Sequence, residues 1–365
     1  MALSINSVGK INQGEFTPDI LNEFVHDFIK TMKEDIIQRF HREKRTDDER
    51  RFAEFVLIET CRALLKQPGV VFYLHLKNDP KLREILNLRY MKTYGQYTDF
   101  DKKRKYLKKD LSRIIERNLK TKNFDIYALD TFITEVDLRR YRKGKKIEAG
   151  GYDVEYLHST SKGTVVGFLV AVLVNLSDLS VEDIQIFTKE VKKTKIWEDV
   201  VLKNIGTVTG KIKVVIADAG LFAYQNYEVS PNMRLVPVIK PRSGLENKVA
   251  RKLRELEPNI MWFDSRLNND VPILLDEFKE IISSAVEMVK SYDDISKLRS
   301  RIEILFKIAK SIFGLEKLHV YYRKFALWKI YIVLYVSSLL YQYIELNGLN
   351  VHRTVGLLRM DDWLW

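Results

Sequence analysis

The amino-acid sequence predicts an α/β domain at residues 123–345, preceded by an all-α region at residues 1–122. Apolar residues recur at helical spacing through the first region, whereas residues 123–242 contain β-prone runs separated by turn residues. The chain has 365 residues, of which 46% are hydrophobic and 30% are charged. This composition excludes wholesale disorder, and the length is sufficient for two or three domains of about 150 residues. Residues 346–365 are predicted to be a short tail.

The N-terminal region is predicted to begin its first long helix at Thr17 and Pro18. A threonine side chain can cap the first helical turn, and proline is tolerated at the first helical position. A second helix is predicted from about Asp48 to Gln67, where Pro68-Gly69 stops it. A third helix is predicted to follow Pro80.

Positive charge is concentrated in two short segments of a chain whose net charge is +12. Residues 102–122 contain ten basic and two acidic residues, and residues 139–146 contain six basic residues. The first segment overlaps a predicted basic amphipathic helix, residues 101–120, which could lie along DNA phosphates. Such compact patches indicate a nucleic-acid partner, and the alternative is a solvated lysine-rich surface. The candidate DNA-contacting residues are Lys102, Lys103, Arg104, Lys105, Lys108, Lys109, Arg139, Arg140, Arg142, Lys143, Lys145 and Lys146.

The α/β domain is predicted to contain five strands and several helices. The strands are predicted at residues 124–130, 154–158, 163–176, 213–218 and 235–239. The third run is almost continuously apolar, as expected for the buried centre of a sheet. A helix is predicted over Ser180–Lys193, with Ser180 as its N-cap, and further helices follow the fifth strand.

Two aspartates stand at the ends of predicted strands, Asp130 after the first and Asp218 after the fourth. If these strands are parallel neighbours, both carboxylates lie at one edge of the sheet, where sites form in open sheets. Two carboxylates that close repel each other unless a cation lies between them, so the pair predicts a divalent metal site. The alternative for either residue is a turn or cap role at a strand end.

A third acid, Glu303, lies on a predicted helix over residues 292–310. Helical geometry places Arg299, Glu303 and Lys310 along one edge of its apolar face. The helix could therefore present Glu303 beside the two aspartates, and the alternative is an ordinary i,i+4 Arg–Glu surface pair. Glu255 competes for this role, but its own helix is predicted to point it to solvent.

The three acids and their contexts, YALDTF, VVIADAG and Arg299-x3-Glu303-x6-Lys310, resemble those of DDE transposases of insertion sequences. The most similar group has a Tyr-x2-Arg-x3-Glu-x6-Lys signature. Ser296 occupies the tyrosine position here, and Tyr292 lies one turn earlier. The resemblance covers roughly residues 123–345 and implies an RNase H-like fold, a mixed sheet flanked by helices.

The resemblance also implies a reaction, a cofactor and partners. Asp130, Asp218 and Glu303 would hold two Mg²⁺ ions about 3.5–4 Å apart, with Mn²⁺ as a substitute, for cleavage and transfer of DNA strands. Arg299 and Lys310 would hold the phosphates around the scissile bond. The partner would be double-stranded DNA, at transposon ends and target, bound by a homodimer in the cytoplasm at the nucleoid.

Other functions stay open or are disfavoured. A different RNase H-like nuclease and a repurposed, inactive DNA-binding protein are the alternatives. A single cysteine excludes a disulfide framework, and the absence of a phosphate-binding glycine loop disfavours nucleotide hydrolysis. The uncharged run Ile330–Ile344 is shorter than the roughly 20 residues that span a membrane, so it predicts a buried helix that covers the sheet. No membrane association is expected.

Overall fold

The computed structural model describes residues 5–15, 17–40, 47–103, 111, 114, 126–136, 155–159, 163–205, 212–258, 263–264, 269–270, 275–318 and 323–359. The chain divides into two compact units. Unit 1 comprises residues 1–117 and 305–365, and unit 2 comprises residues 118–304.

The N-terminal part of unit 1 is helical where it is described. Its helices are α1 (Ile5–Gln13), α2 (Pro18–Arg39), α3 (Asp47–Leu64), α4 (Gly69–Asn78), α5 (Pro80–Leu86) and α6 (Tyr94–Lys103). The predicted start of α2 is confirmed, because the Thr17 hydroxyl accepts a hydrogen bond from the Ile20 N–H at 3.4 Å. The predicted helix after Pro80 is also confirmed, and Asp79 caps it.

Two features of this region depart from the sequence prediction. Helix α4 begins at Gly69, within the Pro68-Gly69 pair that had indicated only a stop. Proline is accommodated there as the N-cap, and burial of Phe72 and Leu76 favours the new helix. Of the predicted basic helix at 101–120, only residues 101–103, 111 and 114 are described.

Unit 2 is built on a mixed β-sheet. Its strands are β1 (Ile126–Val136), β2 (Glu155–Ser159), β3 (Gly163–Asn175), β4 (Ser180–Phe187), β5 (Lys213–Ala217) and β6 (Leu235–Ile239). Strand β3 pairs antiparallel with β1, β2 and β4, whereas β1, β5 and β6 are parallel neighbours. This mixed sheet, flanked by helices, is compatible with an RNase H-like fold.

The helix predicted over Ser180–Lys193 is wrong, because residues 180–187 form strand β4. A tight turn after Asn175 returns the chain onto β3. Leu179 adopts a left-handed conformation with φ of 54°, and the Asp178 carboxylate accepts the Ser180 N–H at 2.9 Å. Pairing with β3 along its length outweighs the local N-cap signal at Ser180.

The first strand is also longer than predicted, because β1 continues six residues beyond Asp130 to Val136. These residues stay paired with β3, for example Thr131 with Ala171. On its other side, β1 pairs with β5 only as far as Leu129, which lies opposite Ala217. Asp130 therefore lies within a strand, at the level where its parallel neighbour ends.

Helices and short turns complete unit 2. Helix α7 (Lys193–Trp197) continues through a π-helical turn (Glu198–Leu202) to Lys203–Ile205. Two 3₁₀ turns lie at Ala219–Leu221 and Pro231–Met233. The other helices are α8 (Tyr224–Val229), α9 (Glu246–Arg254), α10 (Leu275–Lys290) and the first part of α11 (Tyr292–Ser311). A two-stranded sheet joins β7 (Phe263–Asp264) to β8 (Asn269–Asp270). Helix α10 packs against α9 and β6.

The C-terminal part of unit 1 contains the short strand β9 (Lys317–Leu318) and helices α12 (Arg323–Leu346) and α13 (Val351–Leu358). Among the described helices, one stretch of α12, Ala326–Leu346, is long and apolar enough to cross a membrane, and 83% of its most apolar window is buried. The helix is buried as predicted, and within unit 1 it packs on α2 and α3. The Tyr335 hydroxyl donates to Asp35 at 2.7 Å, so polar tips on α12 have partners within unit 1.

Candidate active site

The register of β1 and β5 brings two aspartates to one edge of the sheet. Leu129 pairs with Ala217, so Asp130 is the next residue of β1 and Asp218 directly follows the last residue of the adjacent β5. Asp218 is also the N-cap of the following 3₁₀ turn, since its carboxylate accepts the Ala219 N–H at 2.7 Å. Asp130 accepts the N–H of Thr131 at 2.7 Å. These backbone hydrogen bonds hold both carboxylates at the end of β5.

Helix α11 adds an arginine and a third acid to this edge. Arg299 Nη1 donates to Asp130 Oδ2 at 3.1 Å, and Nη2 donates to Glu303 Oε1 at 2.9 Å. The i,i+4 pair that helical spacing predicts is therefore present, but the same guanidinium also reaches strand β1. The side chains of Asp130 and Arg299 are each 18% exposed, whereas that of Glu303 is 58% exposed.

Two further hydrogen bonds fix α11 against the sheet. Arg301 Nη1 donates to the carbonyl of Leu176 at 2.6 Å, just after β3. The buried hydroxyl of Tyr292 donates to the carbonyl of Ala217 at 3.0 Å, at the end of β5. The Tyr292 contact lies beside Asp218, whereas Leu176 lies opposite Ile126 at the start of β1, so the helix is fixed against the sheet at two separate points.

Tyr292 and not Ser296 is the residue of the helix that reaches the site. The Ser296 hydroxyl donates to the carbonyl of Asp293 within the helix. The tyrosine one turn earlier lies close enough to Asp218, Asp130 and Arg299 for their charges to act on its phenol. In the sequence, the only indication of this role was that Tyr292 lies one turn before Ser296, the residue at the tyrosine position of the signature.

Burial and like charges shape the protonation of the site. Burial raises the pKa of Asp130, and the negative charges of Asp218 and Glu303 add to this shift, whereas Arg299 and the Thr131 N–H oppose it. Burial, together with Asp218 and Asp130, also raises the pKa of Tyr292 to about 12. The phenol therefore stays neutral at physiological pH and remains a donor to Ala217.

Lys240 lies at the same edge and was missed by the sequence reasoning. It follows β6 directly, and its backbone N–H donates to the carbonyl of Ala217 at 3.1 Å. Its Nζ lies 5.8 Å from the Tyr292 ring centroid and 4.0 Å from the Asp293 carboxylate. The useful signal was its position, since a cation directly after a parallel strand faces the edge at which sites form.

A family model described as the transposase DDE domain matches residues 134–339, which is more than half of the chain. The chain belongs to this transposase family. The match includes Asp218, Arg299 and Glu303, and it begins four residues after Asp130. Neither the curated proteins nor the solved structures gave a match. Membership gives the transposase DNA as its substrate, and enzymes of this family use divalent metal ions, typically Mg²⁺.

The other predicted site residues of the transposase have different positions. Lys310 lies two turns beyond Glu303 on α11, in unit 1, with its Nζ 5.9 Å from the Phe306 ring centroid. Lys102 is exposed near the end of α6, which ends at Lys103. Glu255 points to solvent as predicted, where it pairs with Arg251 at 3.8 Å. The remaining predicted DNA contacts, Arg104, Lys105, Lys108, Lys109 and the six cations of 139–146, lie outside the described residues.

The acids of the transposase suit a hard divalent cation in chemical type but not in their present arrangement. Carboxylate oxygens are the ligands that Mg²⁺ prefers. Within the described ranges, however, no group of three or more histidine, cysteine or acidic side chains is arranged so that it could hold a metal ion. The guanidinium of Arg299 joins Asp130 and Glu303 instead.

Proposed function

We propose that this transposase cleaves DNA strands at the ends of an insertion sequence and joins them to target DNA, with Asp130, Asp218 and Glu303 as catalytic residues. One observation carries the proposal: Arg299 links Asp130 on β1 to Glu303 on α11, beside Asp218 at the end of β5. Three acids and an arginine, drawn from three elements, thus lie at one edge of an RNase H-like sheet, which supports a site for phosphoryl transfer there.

The carboxylates act as ligands rather than as general acids in this proposal. Divalent Mg²⁺ or Mn²⁺, when bound, would supply an activated nucleophile and charge stabilisation for the leaving 3′ oxygen. Asp130 and Asp218 are held by backbone N–H groups, so they present fixed oxygens to such ions. Glu303 is more exposed and completes the set from the helix.

The basic residues around the acids are proposed to bind the DNA backbone. A guanidinium binds a phosphate through two parallel hydrogen bonds, which suits Arg299 to the scissile phosphate. The exposed Lys240 is proposed to contact a neighbouring phosphate at the end of β6. Lys310 and the basic segments at 102–122 and 139–146 are also proposed to contact DNA, with two protomers bridging two ends.

Assignment to the group with the Tyr-Arg-Glu-Lys signature is proposed on the same helix. Arg299, Glu303 and Lys310 keep the spacing of that signature. Tyr292 is proposed to take the place of its tyrosine, because it is the tyrosine on α11 whose phenol lies within electrostatic reach of Asp218 and Asp130.

The test is strand cleavage of a plasmid that carries the gene with its native flanks, with Mg²⁺ or Mn²⁺. We expect metal-dependent breaks at fixed flanking positions, and losses of at least about 10²-fold in Asp218→Asn and in Glu303→Gln. Glu255→Gln is the matched control, because it removes the charge of an exposed glutamate, the C-cap of α9, that pairs with an arginine four residues before it. Its activity should equal that of the wild type.

Other outcomes would contradict the proposal in different ways. Undiminished cleavage by Asp218→Asn would remove the acids from the reaction. Loss of cleavage in Asp218→Asn but not in Glu303→Gln would move the third acid elsewhere. Tight, salt-sensitive DNA binding without cleavage under any metal condition would instead identify a repurposed DNA-binding protein.

A further inference from the structure

The guanidinium of Arg299 occupies the space between two of the proposed catalytic acids. Its two terminal nitrogens make one hydrogen bond each, at 3.1 Å to Asp130 and 2.9 Å to Glu303. We propose that Arg299 is the resident counter-ion of the acidic cluster, that a divalent cation displaces it, and that the displaced guanidinium then binds a DNA phosphate. This inference rests on the proposed function, since it concerns the same three acids.

The charge balance of the cluster explains why a cation is held there. Asp130 is mostly buried, and it feels the negative charges of Asp218 and Glu303. A buried carboxylate without a compensating charge is costly, and each added negative charge raises that cost. The Thr131 and Ala219 N–H groups satisfy one oxygen each of Asp130 and Asp218 but carry no full charge. Arg299 supplies that charge.

The spacing of Asp130 and Glu303 suits a guanidinium between them better than a Mg²⁺ ion that both would bind. Its planar fork directs different N–H groups to oxygens on different elements, here β1 and α11. A Mg²⁺ ion would instead need its oxygens at about 2.0–2.1 Å in octahedral geometry. The hydrogen-bond lengths of 2.9 and 3.1 Å hold the two oxygens around a wider group.

The Arg299 guanidinium and a Mg²⁺ ion cannot both occupy the space between Asp130 and Glu303. A guanidinium that remained bonded to Asp130 Oδ2 and Glu303 Oε1 would occupy oxygens that the ion needs and would repel its charge. Among the described residues, no group of three or more acidic, histidine or cysteine side chains could hold a metal ion as arranged, and Arg299 joins two of the three acids. Because Arg299 is partly exposed, its side chain can rotate outward toward solvent, where the phosphate of a bound strand would approach.

The competing explanation is an ion pair that only stabilises the helix. An i,i+4 Arg–Glu pair stabilises its own helix modestly and has no connection with metal binding. Helix α9 offers such a pair for comparison, since Arg251 lies 3.8 Å from Glu255 and both side chains are well exposed. Arg251→Ala is therefore a matched control for Arg299→Ala.

The experiment is Mg²⁺ titration of the full-length, metal-free protein by calorimetry, with thermal unfolding measured in the absence and presence of Mg²⁺. We expect Arg299→Ala to bind Mg²⁺ at least about fivefold more tightly than the wild type, because no resident cation must leave. Without metal the variant should unfold at a lower temperature than the wild type, and saturating Mg²⁺ should remove that difference. Arg251→Ala should bind Mg²⁺ as the wild type does.

The outcomes separate this inference from the proposed function. Equal or weaker Mg²⁺ binding by Arg299→Ala, with binding intact in the wild type, would overturn the counter-ion role and leave the proposed metal chemistry standing. Absence of Mg²⁺ binding in both proteins would overturn both. Arg299→Gln, which keeps length and a donor but removes the charge, gives the same comparison if the alanine variant does not fold.

Discussion

The hydroxyl of Tyr292 donates a hydrogen bond to the carbonyl of Ala217, the residue that precedes Asp218. This contact joins the first turn of α11 to the last residue of β5. It therefore couples the helix that carries Arg299 and Glu303 to the strand that carries the second aspartate. The same carbonyl also accepts the Lys240 N–H, so three elements converge on one backbone atom.

Loss of this hydroxyl should reduce catalysis more than DNA binding. We expect Tyr292→Phe to lower the free energy of unfolding by about 1 kcal/mol, because one buried hydrogen bond is lost while the carbonyl keeps its other donor. Strand-cleavage rate should fall several-fold with little change in the dissociation constant for DNA. Cleavage kinetics and equilibrium DNA binding, measured side by side, check this.

Tyr224→Phe is the control for this substitution. Within the described part of the chain, the buried Tyr224 hydroxyl has no hydrogen-bond partner. Removal of an unsatisfied buried hydroxyl should leave stability unchanged or slightly higher. An equal loss of activity in both variants would mean that the Tyr292–Ala217 contact has no special role.

Lys240 should contribute to DNA binding through charge alone. Its ammonium lies beside Tyr292 at the end of β6 and is about half exposed. We expect Lys240→Ala to weaken binding to specific and non-specific duplexes alike, and to reduce the slope of log affinity against log salt by about one. Lys279→Ala, which removes an exposed lysine on α10, is the comparison, and an unchanged slope for Lys240→Ala would exclude the phosphate contact.

The sequence predicted those parts of the site that are locally encoded. Asp218 directly follows a strand whose last four residues are apolar, and Arg299 and Glu303 share a helical edge by their spacing alone. By contrast, the bond from Arg299 to Asp130 spans 169 positions, and no local pattern encodes it. Only the register of β1 with β5 and the docking of α11 create that contact.

The errors at β1 and β4 have a common physical cause. Residues 180–187 carry both an N-cap signal and β-prone residues, and the hairpin with β3 decides between them. The end of β1 depends in the same way on β3, which continues past Asp130 after β5 has ended. Pairing with a strand distant in sequence determines where β1 ends and that residues 180–187 form a strand, so neither could be predicted from the local sequence.

The close approach of β1 to β3 leaves no room for a side chain at Gly167. A Cβ atom at Gly167 would lie 2.2 Å from the backbone carbonyl oxygen of Thr134, and neither strand can yield without loss of pairing. We expect Gly167→Ala to lower the free energy of unfolding by roughly 1–3 kcal/mol, measured by urea denaturation. Gly220→Ala, where the added Cβ meets nothing within 4 Å, should be near neutral, and equal effects would contradict the steric explanation.

The stability of unit 1 should depend on pH through Asp79, the N-cap of α5. Its carboxylate accepts the Leu82 N–H at 2.9 Å and lies 2.9 Å from His26 and 3.6 Å from His75. Partial burial opposes the shift, but the Leu82 N–H and the two histidines lower the pKa of Asp79 below its ordinary value.

A carboxylate whose pKa is lowered by folding stabilises the protein above the ordinary aspartate pKa of about 3.9, and this stabilisation is lost as the pH falls through the lowered value. We expect Asp79→Ala to lower the free energy of unfolding by about 1 kcal/mol at pH 7. The difference from the wild type should shrink as the pH falls below 4. Chemical denaturation between pH 3 and 7 checks this, and Asp99→Ala, an exposed aspartate on α6, is the control. A difference that stayed constant across this range would mean that Asp79 stabilises α5 without its charge.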